Sequence, residues 1–372
     1  EEEEEEKRRD ERRYLDFYTE VVKRTARLVA KWQCVGWCHG VLNTDNISII
    51  GITIDYGPYG FMERTSKEYI CNASDNDGRY SYGNQPEMCK WNCLKLAEAM
   101  QLALDLESSK KALEDTYDKE FKAAYYKAMK GKLGLESEDT KLVDDLLETM
   151  EETGSDFTLT FRTLSTFVRQ LGQSGSGFDI EKFTDGFVGK ALAPYQEILE
   201  SLQPKMATQE IHMLVMMARQ NPFLLQRFPQ LMSDLKKIDK RREFLQKSEE
   251  KFDEDNRAKW KAWFSRYAAK VSEEAKTKSE EKGEGQQSFG QILSALADSM
   301  DTVNPKYILR NYMLQDAIEK AEKHDYSGVN GLLQLVRNPF EENPKDVTGI
   351  APEKLKAYNA RPPKEAATIC VT

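Results

Sequence analysis

Gly36-Trp37-Cys38-His39-Gly40-Val41-Leu42-Asn43-Thr44-Asp45-Asn46, continued to Gly51-Ile52-Thr53-Ile54-Asp55-Tyr56-Gly57-Pro58-Tyr59-Gly60-Phe61, is the densest stretch of chemistry-bearing residues in the chain. Ile47, Ile49, Ile52 and Ile54 flank Gly51. That pattern around a turn residue predicts two short strands joined by a tight turn. Asn46 then stands at one strand end and Asp55 at the other, so an amide oxygen and a carboxylate face one site. Hard divalent cations take oxygen ligands of this kind. Asp45, immediately before Asn46, is a nearby carboxylate able to accept a proton. Asx residues also cap turns, and Asp45 and Asn46 are open to that plainer reading. His39 reads as structural, hydrogen-bonded to backbone.

Working outward, Leu15, Tyr18, Val22, Val29 and Trp32 recur at a helical period, which predicts a helix over 14–32 ended by Gly36. Residues 1–13 are a charged, low-complexity start. The polar run from Ile70 to Pro86 reads as a long loop. From Trp91 onward the pattern is almost wholly helical: 91–107, 110–130, 139–152, 155–171, 180–201, 207–218, 222–247, 253–275, 287–301 and 304–337, the last broken near Tyr326. Glu273 to Gln287 reads as a solvated, mobile linker. The tail from Pro339 holds five prolines and is expected to run extended. The fold class is therefore mostly α with a small β-hairpin. The expected divisions are 1–13, 14–135 with the hairpin, a helical region over 136–338, and a tail over 339–372.

Composition narrows the function. The 372 residues are 40% hydrophobic and 31% charged, with a mean hydropathy of −0.68. That is a globular balance, and no apolar run approaches the roughly 18 residues of a membrane span. A net charge of −9 speaks against broad nucleic-acid binding, which needs a basic footprint. Six cysteines are too sparse for a disulfide scaffold. Cys34/Cys38 and Cys89/Cys93 are each spaced by four, but that is not zinc-knuckle spacing, and buried apolar thiols are expected instead.

Set against the protein-kinase catalytic loop, His-Arg-Asp-Leu-x-x-x-Asn, the run from His39 matches at His39, Leu42 and Asn46. Nine residues after Asn46, Asp55-Tyr56-Gly57 resembles Asp-Phe-Gly. In that template, Asn and Asp at these places hold the magnesium ions of a nucleoside triphosphate. One position departs from it. The catalytic Asp is replaced by Val41, which accepts no proton, and Asp45 is the carboxylate able to take its place. No Gly-rich loop, strand-borne Lys or candidate for the kinase αC Glu is found among the 38 residues before His39, so a C-lobe without its N-lobe is expected. Such a chain is expected to bind ATP-Mg weakly by itself and to expose apolar surface.

The quoted stretch, with Asn72-Ala73-Ser74-Asp75, Gly78-Arg79-Tyr80, Asn84-Gln85-Pro86, Trp91-Asn92, Asn304 to Tyr312 and Arg337-Asn338-Pro339-Phe340, closely resembles the selenoprotein O family from about residue 14 onward. The resemblance implies a kinase fold that binds ATP in a flipped orientation and transfers AMP to Ser, Thr or Tyr hydroxyls of proteins. It implies Asp45 as proton acceptor, Asn46 as a magnesium ligand, and Asp55 as a magnesium ligand that also contacts ATP, with manganese as an alternative ion. It further implies a mitochondrial location and, in eukaryotic members, a selenocysteine after a Cys-x-x tail such as Cys370-Val371-Thr372. Two other readings are a catalytically silent kinase-like scaffold and a redox protein acting through the Cys370 tail.

Overall fold

The structure is a computed structural model that describes residues 2–221, 228–281, 288–364 and 366. Helix α1 spans Glu2–Cys34, so the charged start is one continuous helix with the amphipathic stretch. Its opening residues carry i,i+3 pairs, Arg9 with Glu6 and Arg13 with Asp10, which support an exposed helix. After α1 come β1 (Trp37–Cys38) and β2 (Gly60–Phe61), paired antiparallel with Trp37 opposite Phe61 and Cys38 opposite Gly60. The expected isoleucine strands reduce to one isolated bridge, Ile47 to Thr53. Turn chemistry is as read: Gly51 N–H donates to Ser48 O and Gly51 has φ +79°. A Cβ there would stand 2.7 Å from Arg24 Cβ, so only glycine fits. Thus the regular sheet lies outside the hairpin and closes the base of the loop that contains it.

The helices follow as α2 (Gln85–Ala99), α3 (Leu106–Leu133), α4 (Thr140–Thr153), α5 (Phe157–Ser174), α6 (Ile180–Ala191), α7 (Tyr195–Ser201), α8 (Thr208–Gln220), α9 (Pro229–Phe244), α10 (Glu249–Glu281), α11 (Phe289–Asp301), α12 (Asn311–Ala321), α13 (Ser327–Arg337) and α14 (Pro352–Tyr358). Asp105, Asp139, Asp156 and Asp179 cap α3 to α6 by accepting the amide three residues on. Ser288 and Gln291 form a capping box on α11.

Several expectations need correction. The helix predicted over 91–107 stops at Ala99, because Asp105 starts a new one. The helix over 180–201 is two helices, divided where Pro194 removes an amide donor. Residues 304–310 are not helical. They carry Asn304 and Arg310 into the interior. The part of the expected linker over 273–281 is helix α10, with Ala275 buried and Glu274 accepting the Glu136 and Ser137 amides. The tail is not all extended, since α14 forms in it. The rest of the linker (282–287), the first part of the 222–247 helix (222–227) and Cys370 lie outside the described residues.

Two apolar clusters organise the molecule. One joins α1, α2 and the first part of α3 through Tyr18, Val22, Val29, Leu42, Cys89, Cys93 and Tyr117. The other, rich in aromatic rings, joins the end of α3 with α4, α5, α6, α10 and α11. Phe157, Phe161, Phe167, Trp260, Trp263, Phe264 and Tyr267 all lie within it. Two smaller clusters lie under α12 to α14 and between α8 and α9. No helix among the described residues is long and apolar enough to cross a membrane.

Candidate functional site

The loop from His39 to Gly60 has almost no regular structure, so individual hydrogen bonds must fix it. Helix α2 supplies two. Gln85, fully buried at its first turn, accepts the His39 amide through Oε1 (2.7 Å) and donates Nε2 to Trp37 O (2.9 Å). Two turns on, buried Asn92 donates to Leu42 O at 2.9 Å. From the polar loop that follows, Asn72 donates to Gly40 O (3.1 Å) and the Tyr80 hydroxyl to Asn43 Oδ1 (2.5 Å). Gly40 has φ +82°, and a Cβ there would come within 2.5 Å of Pro58 O and 2.7 Å of Cys71 Sγ. The chain crosses itself at this point too closely for any side chain.

His39 is 1% exposed. Its Nε2 lies 2.6 Å from Thr53 Oγ1, and burial pulls its pKa down, against a smaller opposing pull from Asp55. It is a neutral strut between the loop and the hairpin. Thr53 passes the link on: its hydroxyl faces the backbone oxygens of both Asn46 and Asp55, at 3.1 Å each.

Asp45 and Asn46 sit in one 3₁₀ turn, Thr44–Asn46. Neither side chain caps it. Asn46 Nδ2 donates to Val41 O at 3.0 Å, which leaves Oδ1 without a hydrogen bond among the described residues. Ile54 N–H donates to Asn46 O at 2.9 Å, so Asp55, the next residue, emerges beside Asn46. Asp45 and Asp55 are both exposed, and neither carboxylate has a hydrogen bond or ion pair among the described residues. The three sequence candidates thus lie on adjoining pieces of backbone, and their amide oxygen and two carboxylates make no hydrogen bond among the described residues; oxygens of these types suit a hard cation. No group of three His, Cys, Asp or Glu side chains among the described residues forms a protein-only metal site. An ion here would complete its shell with water or ligand oxygens.

Sequence reading quoted Gln85 and Asn92 without seeing their task. Their signal is an i,i+7 polar pair on the helix face that also carries Cys89 and Cys93. The five described cysteines are buried, and burial pushes Cys34 and Cys93 up to about 12, as befits packing groups. Beyond the loop the hairpin is uncovered: Ile50, Ile52, Ile54 and Tyr56 are each at least half exposed, at 57, 50, 65 and 64%.

The family model for protein adenylyltransferase SelO matches residues 3–337. The chain is 40% identical over 367 residues to mouse "Protein adenylyltransferase SelO, mitochondrial", covering 96% of this chain and 53% of that protein. The human protein of the same name is 39% identical over 370 residues, with the same coverage. "Protein nucleotidyltransferase YdiU" of Bordetella pertussis is 33% identical over 344 residues, covering 91% of this chain and 52% of the relative. The chain spans about half the length of the curated relatives it matches. A match running through the loop, the helical region and the Asn304 block makes this chain a member of the SelO family.

Proposed function

We propose that this chain carries the catalytic loop of a kinase-like protein adenylyltransferase. The observation that supports the reading is the pairing of Ile54 N–H with Asn46 O, which joins the backbone next to Asp55 to Asn46, with Asp45 in the same turn as Asn46. In this reading Asn46 and Asp55 hold magnesium, or manganese in its place, and Asp55 also meets the nucleotide. The ion would neutralise charge on the triphosphate. A Ser, Thr or Tyr hydroxyl oxygen of a protein substrate attacks the α-phosphorus of ATP. A new O–P bond forms, the bond to the bridging oxygen of the β-phosphate breaks, and pyrophosphate leaves with that electron pair. The hydroxyl proton goes to Asp45. Val41 stands where a kinase has its base, which fits attack at a different phosphorus.

The relatives are about twice as long. We place the residues that grip the triphosphate in the part this chain does not span, and read the exposed Ile50, Ile52, Ile54 and Tyr56 as surface that meets it. The mouse and human relatives are named mitochondrial, and we assign the same location here. The test is label transfer by the full-length protein. Label should reach protein from α-labelled ATP and not from γ-labelled ATP. Better transfer from the γ position would make this a conventional kinase and overturn the role given to Asp45.

A further inference from the structure

Beside the catalytic loop stands a cation held without a counter-charge. Asp75 fixes the backbone there, its two oxygens accepting the amides of Arg79 (3.0 Å) and Tyr80 (2.8 Å). Asn84 Nδ2 donates to Gly78 O at 2.9 Å and closes the same turn. The Arg79 guanidinium then lies over Trp91, 4.9 Å from the ring centroid, and near Tyr80 at 5.7 Å. Lys95 lies near the same Trp91 ring at 5.3 Å but is paired with Glu98. Arg79 is exposed and has no carboxylate within ion-pair distance among the described residues. Aromatic faces orient a guanidinium while leaving its edge donors free.

Its position gives it a role. The platform meets the catalytic loop at two points. Tyr80 bonds Asn43, and Asn92, the neighbour of Trp91, bonds Leu42. Both contacts lie before Asp45 in the loop, whereas Asn46 and its partner Asp55 lie after it. A proton acceptor stands on the side of the attacking hydroxyl away from the phosphorus, because the oxygen itself must face the phosphorus in line. If the nucleotide is held from the Asn46 and Asp55 side, the acceptor protein approaches from the Arg79 side. We infer that Arg79 is a specificity-determining residue that reads an acidic side chain of the protein substrate close to the hydroxyl to be modified. This deepens the reading above and rests on it for the chemistry, but not for the binding.

Two fluorescent peptides that differ only in Glu or Gln flanking one serine test this on the present chain by anisotropy at low salt. The Glu peptide should bind about three- to fivefold more tightly, the size expected of an exposed charge-assisted contact. The preference should vanish in Arg79→Ala, shrink in Arg79→Lys, which keeps the charge but loses the planar fork, and turn toward a Lys-bearing peptide in Arg79→Glu. Equal binding of the Glu and Gln peptides, including no binding of either, overturns the inference. So does an Arg79→Ala chain that weakens ATP-Mg binding while the peptide preference stays, because the cation would then serve nucleotide phosphate. Peptide preference without label transfer would sink the transferase reading and keep the subsite. Transfer without preference would do the reverse.

Discussion

The loop segment and the aromatic layer are held together by different physics. Between Gly36 and Phe61 the chain makes one pairing of two-residue strands and one isolated bridge, and is tied to the polar loop and α2 by single hydrogen bonds from Gln85, Asn92, Asn72 and Tyr80. Between α4 and α11 the reverse holds. Trp260 sits 4.4 Å from Phe187, Phe167 stacks on Phe264 at 5.0 Å, and Trp263 stacks on Tyr267 at 5.0 Å. Non-directional burial supplies the stability there. A region specified bond by bond can leave Asp45 and Asp55 unengaged at the surface, while in a region specified by packing an unengaged polar group carries a desolvation cost.

That contrast predicts a separation of effects. The largest falls on Asp55→Ala in the full-length protein, where transfer from α-labelled ATP should drop by about a thousandfold, the scale of losing a key electrostatic contact. Its melting temperature should stay within a degree or two, because the carboxylate bonds nothing else. Undiminished labelling removes Asp55 from the site. Next comes Trp260→Ala, at about 3–5 kcal/mol of folding stability. The ring is fully buried and its Nε1 donates to Thr153 Oγ1 at 3.0 Å. Denaturant unfolding showing under 1 kcal/mol would mean the layer is not one packed unit.

Gln85→Leu tests the join between the two regimes. It leaves Trp37 O and the His39 amide unpaired in the interior, at about 1–3 kcal/mol. Hydrogen exchange should show opening of 37–46 first, with α4 and α10 still protected. Uniform loss of protection would merge the two regions.

The smallest effect is pH-dependent. Burial pushes the Glu63 carboxyl up to about 7, against the pull of Arg310 and with help from Asp156 and Glu197. The fold therefore keeps a proton that the unfolded chain has released above about 4.5. Stability falls as pH rises from about 4.5 to 7 and stays lower above that. Glu63→Gln should be neutral at pH 4.5 and stabilise by about 1 kcal/mol or more at pH 8. A gain that does not depend on pH would exclude titration of this group.

The sequence made the two regions legible to different degrees. Helices of the packed layer announce themselves by apolar period and Asp caps, and α4 and α5 begin within two residues of their predicted starts. Where composition stood in for period, the reading failed. Residues 273–281 look like a charged linker, yet Ala275 faces the core and Glu274 caps free amides on the chain before α4. In the loop segment the motif pointed to Asn46 and Asp55, which the Ile54–Asn46 backbone bond brings onto adjoining pieces of backbone, and His39 is buried against Thr53. The strands themselves were misplaced. Isoleucine alternation marked a hairpin that is mostly exposed, while the true pairs, Trp37 with Phe61 and Cys38 with Gly60, are 22 and more residues apart with no alternating pattern to betray them. Long-range pairing of two-residue strands leaves no local trace.

Asp156 has a consequence for the order in which the chain is made. This one carboxylate caps α5 through Leu159 N–H and forms a buried ion pair with Arg310 at 2.8 Å, both side chains at most 2% exposed. Just before Arg310, Asn304 donates to Lys132 O and accepts from Arg162. Until residues 304–310 leave the ribosome, a nascent chain that has closed α5 over α4 holds a carboxylate in its interior with no guanidinium to meet it, a state that strongly disfavours closure. Domains generally fold as units during synthesis, but this layer can lock only when residues 304–310 arrive. The loop bearing Asp45 and Asp55, anchored to the same layer through Thr65 and Ser155, is therefore completed only after residues 304–310 have been made.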